Sequence, residues 1–169
     1  MFLAALLLLP GSASPCSCAP KQGVSDELKL ADAVFSAEVT KLEVLPSWWA
    51  EMGTQTNSEL LEADPGETPI RVLKVTFTVM KAWKGVSEPV VVVRTIADCC
   101  ICGSTFAIGL GYLVYAFRLR GDGTLWTNIC SRTTNLDKAV EDLKELGPAA
   151  IDHEKRRADK GSGRGGGGS

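Results

Sequence analysis

The chain has a single histidine, His153. A nucleophile driven by histidine needs a base beside it in the folded domain, and His153 lies in a basic tail, where it reads as a solvated residue. Thiolates are supplied by Cys-x-Cys and Cys-Cys-x-Cys; the one Cys-x-x-Cys spacing, Cys99 to Cys102, has a third cysteine inside it and no second such pair to complete a four-ligand zinc site. No apolar run approaches the ~20 residues that cross a bilayer; Phe2 to Leu9 is much shorter. An excess of positive charge is lacking too. Residues 14–150 carry 13 Lys and Arg against 17 Asp and Glu, a net of −4, which argues against nucleic acid as a partner. The carboxylates fall in loops and on a helix surface, where they read as solvated charge and not as an acid–base pair. These absences set an enzyme aside in favour of a protein-binding module with no cofactor and no metal of its own.

Six cysteines among 169 residues, with 45% hydrophobic content, are what the chain does have. Phe2–Leu9 followed by Gly11-Ser12-Ala13 reads as the h-region and cleavage zone of a signal peptide over residues 1–13. Export leads to an oxidising compartment, where an even number of cysteines reads as disulfides. Cutting after Ala13 leaves Ser14-Pro15-Cys16 at the mature N-terminus. Residues 14–150 then suit one domain with a real core. Residues 151–169, with Lys155-Arg156-Arg157 and a run of glycines, read as a disordered tail whose charges solubilise.

Along the chain, residues 24–32 allow a short helix with Ser25 as N-cap. Phe35, Ala37 and Val39 alternate with Ser36, Glu38 and Thr40 as a strand. Residues 46–69 break the pattern with Pro46, Gly53, Pro65, Gly66 and Pro69; Trp48 and Trp49 sit at the base of this projection. Leu73, Val75, Phe77 and Val79 mark a second strand, ended by a turn at Trp83-Lys84-Gly85. Val90–Ile96 is a β-branched run, Tyr112–Phe117 a fourth strand, and Gly121-Asp122-Gly123 a hairpin turn into Leu125-Trp126-Thr127. Residues 135–146 read as an amphipathic helix with Leu136, Ala139, Val140, Leu143 and Leu146 on one face, capped by Thr134 or Asn135 and stopped by Gly147-Pro148. Five short strands with a helix at each end fit a mainly β fold, a small Greek-key barrel with the C-terminal helix packed on it. The chain is expected to be monomeric, secreted or extracytoplasmic, without a membrane span. Cys16-Ser17-Cys18-Ala19-Pro20 is its organising stretch: a Cys-x-Cys held as a stiff, exposed ridge presents backbone to a partner.

Cys16-Ser-Cys-Ala-Pro20, Ala31-Asp-Ala-Val-Phe-Ser-Ala-Glu-Val39, Val79-Met-Lys-Ala-Trp-Lys-Gly85, Cys102-Gly103 with Phe106, the Gly-Tyr-Leu-Val-Tyr strand, and Leu125-Trp-Thr-Asn-Ile-Cys130 occur in this order. Together, over about residues 16–147, they resemble the netrin-like module, and within it the N-terminal domain of tissue inhibitors of metalloproteinases. The resemblance implies an OB-fold barrel. It also implies the pairings Cys16–Cys102 and Cys18–Cys130. Cys99 and Cys100 have no counterpart in the family; a vicinal disulfide, free thiols, and competition with Cys102 for Cys16 all remain open.

In those inhibitors the N-terminal cysteine lies over the protease's catalytic zinc, which its α-amine and carbonyl chelate, and the next side chain enters the specificity pocket. Carried over, Cys16 is the chelating residue and Ser17 the pocket residue, with Cys18, Ala19, Pro20, Cys100 and Ile101 around them. The partner implied is a zinc metalloendopeptidase, whose metal keeps an open position. The chelate requires a free amine on Cys16, and therefore removal of Ser14-Pro15. The superfamily also contains modules that inhibit no protease, so a non-inhibitory interaction module is the alternative reading.

Overall fold

The computed structural model describes residues 17–45, 71–97, 102–121 and 123–162. The signal-peptide reading of residues 1–13, the Ser14-Pro15-Cys16 start, the 46–69 projection with Trp48 and Trp49, and Cys99, Cys100 and Ile101 lie outside the described residues.

Five strands close a ring. β1 (Ala33–Leu45) pairs antiparallel with β2 (Val72–Lys84), and β2 with β3 (Val90–Ile96). β3 runs parallel to β5 (Leu125–Trp126), β5 is antiparallel to β4 (Gly111–Arg118), and β4 returns to β1. The two longest strands bend to do this. Their register slips at three places, leaving Thr40 of β1 and Met80 and Trp83 of β2 as extra residues, and each bulge adds local twist to the ribbon. At the end of β2, Gly85 turns with φ +68°, and a Cβ there would run into the Asp32 carbonyl, so the position needs glycine.

The alternation read from the sequence faces the interior. Phe35, Ala37, Val39, Val75, Phe77, Val79 and Val93 are wholly buried. Phe35, Phe77, Phe106 and Tyr112 form an edge-to-face ladder through the ring, with centroids 5.9, 5.4 and 4.8 Å apart, a geometry that adds to the burial of the rings. A second layer covers the outside of β1 and β4. There Val34, Leu113, Tyr115, Ala31 and Ala139 pack with Leu28, Trp83, Leu136, Leu143 and Leu146. Val34 and Ser36 are therefore buried as well, although period two puts them opposite the core.

The helices correct several expectations. α1 (Val24–Leu30) starts two residues before the place an N-cap at Ser25 would set: Gly23 is its N-cap, and Ser25 makes no cap but donates its backbone N–H to Glu145 Oε1, 3.2 Å. The 135–146 helix is not continuous. Thr134–Asn135 (β6) pairs with Leu113 and Tyr112 of β4, Leu136–Lys138 forms a 3-10 turn, and α2 covers Val140–Leu146 after Ala139. Pairing with β4 holds the start extended; Asn135 takes the N-cap position of the 3-10 turn without a side-chain cap hydrogen bond, and Ala139 that of α2. Counted from Ala139, the inward stripe is Ala139, Asp142, Leu143 and Leu146, and Val140 falls outside it at 61% exposure. Gly147 stops α2 as expected, at φ +66°.

Beyond Ala150 the chain remains ordered to Ser162, against the expectation of a disordered tail from Ile151 onward. Ile151–Asp152 (β7) pairs with Ala82 and Lys81 of β2, and α3 (His153–Ser162) follows. Asp152 Oδ1 accepts the Lys155 N–H at 2.9 Å, which caps α3, and Arg157 donates to the Val79 carbonyl at 3.2 Å. His153 is 6% exposed, not solvated. Composition misled here because two residues of strand pairing and one buried ring suffice to dock a segment that is otherwise polar. Among the described residues no helix is long and apolar enough to cross a membrane.

Candidate functional site

The segment Ser17–Gln22 has no regular structure of its own. Among the described residues two side-chain connections hold it. Cys18 is bridged to Cys130, with Cα atoms 5.2 Å apart and a sequence separation of 112. Arg132 donates from Nη1 to the Gln22 carbonyl at 2.8 Å. Between and around these points Ser17, Ala19 and Pro20 are exposed, while Cys18 is partly covered. The result is a short segment fastened near both ends with its outer side in solvent.

The receiving side is the stretch after β5. Asn128 Oδ1 accepts the N–H groups of Cys130 and Ser131, at 2.9 and 3.1 Å, in an Asx turn that aims Cys130. Below it Thr127 Oγ1 donates to the Tyr115 carbonyl at 2.9 Å and lies 3.1 Å from Ser131 Oγ and 2.8 Å from Thr133 Oγ1. This hydroxyl cluster is largely buried and ties the turn to β4. The Ile129 N–H donates to the Cys102 carbonyl at 3.1 Å, so Cys102 and Cys130 sit on adjacent backbone. Cys102 adopts φ +48°, and Gly103 packs so closely on the Ile96 carbonyl that a Cβ would overlap it. The Cys102–Gly103 turn is thereby fixed against the end of β3.

Arg132 also makes a two-point ion pair with Asp142 of α2, Nε to Oδ2 at 2.8 Å and Nη2 to Oδ1, and the Tyr115 hydroxyl donates to Asp142 Oδ2 at 3.3 Å. The Asp142 carboxylate raises the Arg132 guanidinium above its ordinary range. Burial, and then the Asp142 charge, push the Tyr115 phenol well up, so it stays protonated as a donor. One guanidinium thus joins the N-terminal segment, the Cys130 turn and α2.

Of the residues expected to form the ridge, Ser17, Cys18, Ala19 and Pro20 come together with Cys130 and Cys102. The expected Cys18–Cys130 bridge is present. Cys102 is disulfide-bonded, with a partner outside the described residues; the Cys16–Cys102 pairing, Cys100 and Ile101 lie there too. Sequence reasoning gave no role to Arg132, Asp142, Asn128 or Ile129. Asn two residues before a cysteine is a local turn signal, and Ile129, 42% exposed beside the bridge, follows from it. Arg132 and Asp142 meet across ten residues with no local spacing that announces them.

Neither comparison with protein-family models nor comparison with curated proteins finds a match for this chain.

Proposed function

We propose that the protein is a secreted, disulfide-bonded module that binds another protein through the Cys16–Pro20 ridge, and that its partner is a zinc metalloendopeptidase which it inhibits. The observation that carries this reading is the Cys18–Cys130 bridge, which fastens an exposed segment of a few residues onto a rigid ring. Preordering of this kind lowers the cost of immobilising the segment on binding. The ring order β1-β2-β3-β5-β4, closed by β1 with β3 and β5 parallel, supports an OB-fold Greek-key barrel, the fold implied by the resemblance to the netrin-like module.

In this reading the α-amine and carbonyl of Cys16 occupy the open position of the protease's zinc and displace its water. Ser17 enters the adjoining pocket. Ala19, Pro20, Cys100 and Ile101 pack on either side. Arg132 and Cys130 contribute by holding the ridge, not by touching the metal. The protein carries the amine, and the protease carries the zinc.

The test is inhibition of a panel of zinc endopeptidases by protein that begins at Cys16. Inhibition that disappears when the α-amine is acetylated supports the chelate. Ser17→Gly is expected to weaken binding unevenly across the panel, since it changes the pocket contact and leaves the chelating atoms in place. A secreted interaction module that inhibits no protease is the second reading. The same exposed, fastened ridge supports it, and absence of inhibition across the panel would select it.

A further inference from the structure

β3 is covered along one edge and only partly along the other. β2 pairs with it from Val90 to Ile96, whereas β5 pairs with Val93 and Arg94 alone. The hydrogen-bond parity identifies the groups left over. The Val79 N–H donates to the Pro89 carbonyl, so residue 89 bonds toward β2, and by the two-residue period so do 91 and 93. The Thr127 N–H donates to the Arg94 carbonyl, so residue 94 bonds away from β2, and 92 and 90 with it. The Arg94 N–H and the Val92 carbonyl bracket Leu125 in the parallel pairing with β5, whereas both backbone groups of Val90 and the N–H of Val92 point into the gap between β3 and the β4–β5 hairpin beyond the described pairing.

A cavity of about 590 Å³ fills that gap, lined by Val90, Val92, Lys74, Arg94, Arg118 and Glu88 among others. The two valines are 53% and 37% exposed. Natural edges are usually blunted by charges or proline on the strand itself. Here Pro89 removes an N–H on the β2 side, not on the open side. Three cations with one carboxylate also invert the sign of a chain whose net charge is −2. Lys74 is 3.7 Å from Glu43, and Arg118 Nη1 donates to the Gly123 carbonyl at 2.9 Å, which fixes both at the rim.

We propose that the open edge of β3 accepts an extended acidic peptide segment as an added strand, its backbone bonded to the N–H and C=O of Val90 and to the N–H of Val92, and its carboxylates facing Lys74, Arg94 and Arg118. Main-chain bonds give such a site its affinity and the flanking charges its selectivity. The site shares no residue with the ridge.

The probe is a fluorescein-labelled peptide of alternating valine and glutamate, titrated into the full mature protein and followed by polarisation and by amide hydrogen exchange. Binding that slows exchange at Val90 and Val92 is the expected result. The same peptide N-methylated on alternate amides, and a counterpart with lysine for glutamate, are each expected to bind at least tenfold more weakly. Arg118→Glu should cost a similar factor. Val92→Pro removes the N–H directly, and the N-methylated peptide makes the same test on unaltered protein should that variant not fold. Equal binding of the methylated or the lysine peptide overturns the proposal, as does absence of binding. Protection of the two amides that instead grows with protein concentration also overturns it, because the edge is then filled by a second copy.

Discussion

Arg132 and Asp142 form a two-point ion pair, with Nε and Oδ2 2.8 Å apart, and the same guanidinium reaches the Gln22 carbonyl. The side chains are 23% and 10% exposed, so removing either partner leaves the other charge poorly solvated. Asp142→Ala is expected to cost about 3 kcal/mol in urea unfolding. The Arg132→Ala/Asp142→Ala double variant should cost clearly less than the sum of the two single changes. Additive losses would mean that the pair does not act as a unit.

Tyr115 adds an alkaline signature. Its folded pKa lies above the ordinary 10.0 of the unfolded chain, through burial and then Asp142. Stability from this shift is fully present below about pH 10 and is lost as pH rises toward the folded value. Tyr115→Phe should lose about 1 kcal/mol at neutral pH, for the hydrogen bond to Asp142. It should also show a shallower decline than the parent between pH 10 and 11. Parallel declines would place the alkaline sensitivity elsewhere.

The bridges give a third prediction. Cys18–Cys130 closes a loop with a sequence separation of 112, and the chain-entropy argument assigns such a closure about 4–5 kcal/mol. Paired Cys18→Ser and Cys130→Ser substitutions should lower stability by that order. Non-reducing peptide mapping should also recover Cys102 joined to Cys16. Recovery of Cys102 joined to Cys99 or Cys100 would remove the second fastening of the ridge.

The C-terminal segment supplies a fourth. Truncation after Ala150 removes the β7 pairing and the buried His153 and should lower the melting temperature by several degrees. Leu143 is partly buried, so Leu143→Ala should cost about 1–3 kcal/mol, below the range for a fully buried leucine. Val140→Ala should be nearly silent. Unchanged melting of the truncated chain would show that β7 and α3 add nothing to the ring.

Strand positions were legible because burial of one face imposes period two, and Phe35, Phe77 and Val79 carry that period plainly. The Cys18 end of the ridge was legible through the ordered motifs around it. The breaks were not. Val34 and Ser36 hide a second buried layer, since nothing local marks where α2 covers β1 and β4. Residues 135–146 have helical spacing throughout, and it is pairing of Thr134–Asn135 with β4 that overrides it. His153 looked solvated because polar neighbours dominate the composition of a segment that two strand residues dock. Arg132 was invisible because its partners, Gln22 and Asp142, are brought to it by the ring alone.

The most direct measurement compares two forms of the protein on the zinc endopeptidase panel, one beginning Ser14-Pro15-Cys16 and one beginning at Cys16. Only the second has a free amine beside the Cys16 carbonyl. The chelate therefore predicts strong inhibition by the form that starts at Cys16 and little by the longer one. Equal inhibition by both forms would contradict chelation through Cys16.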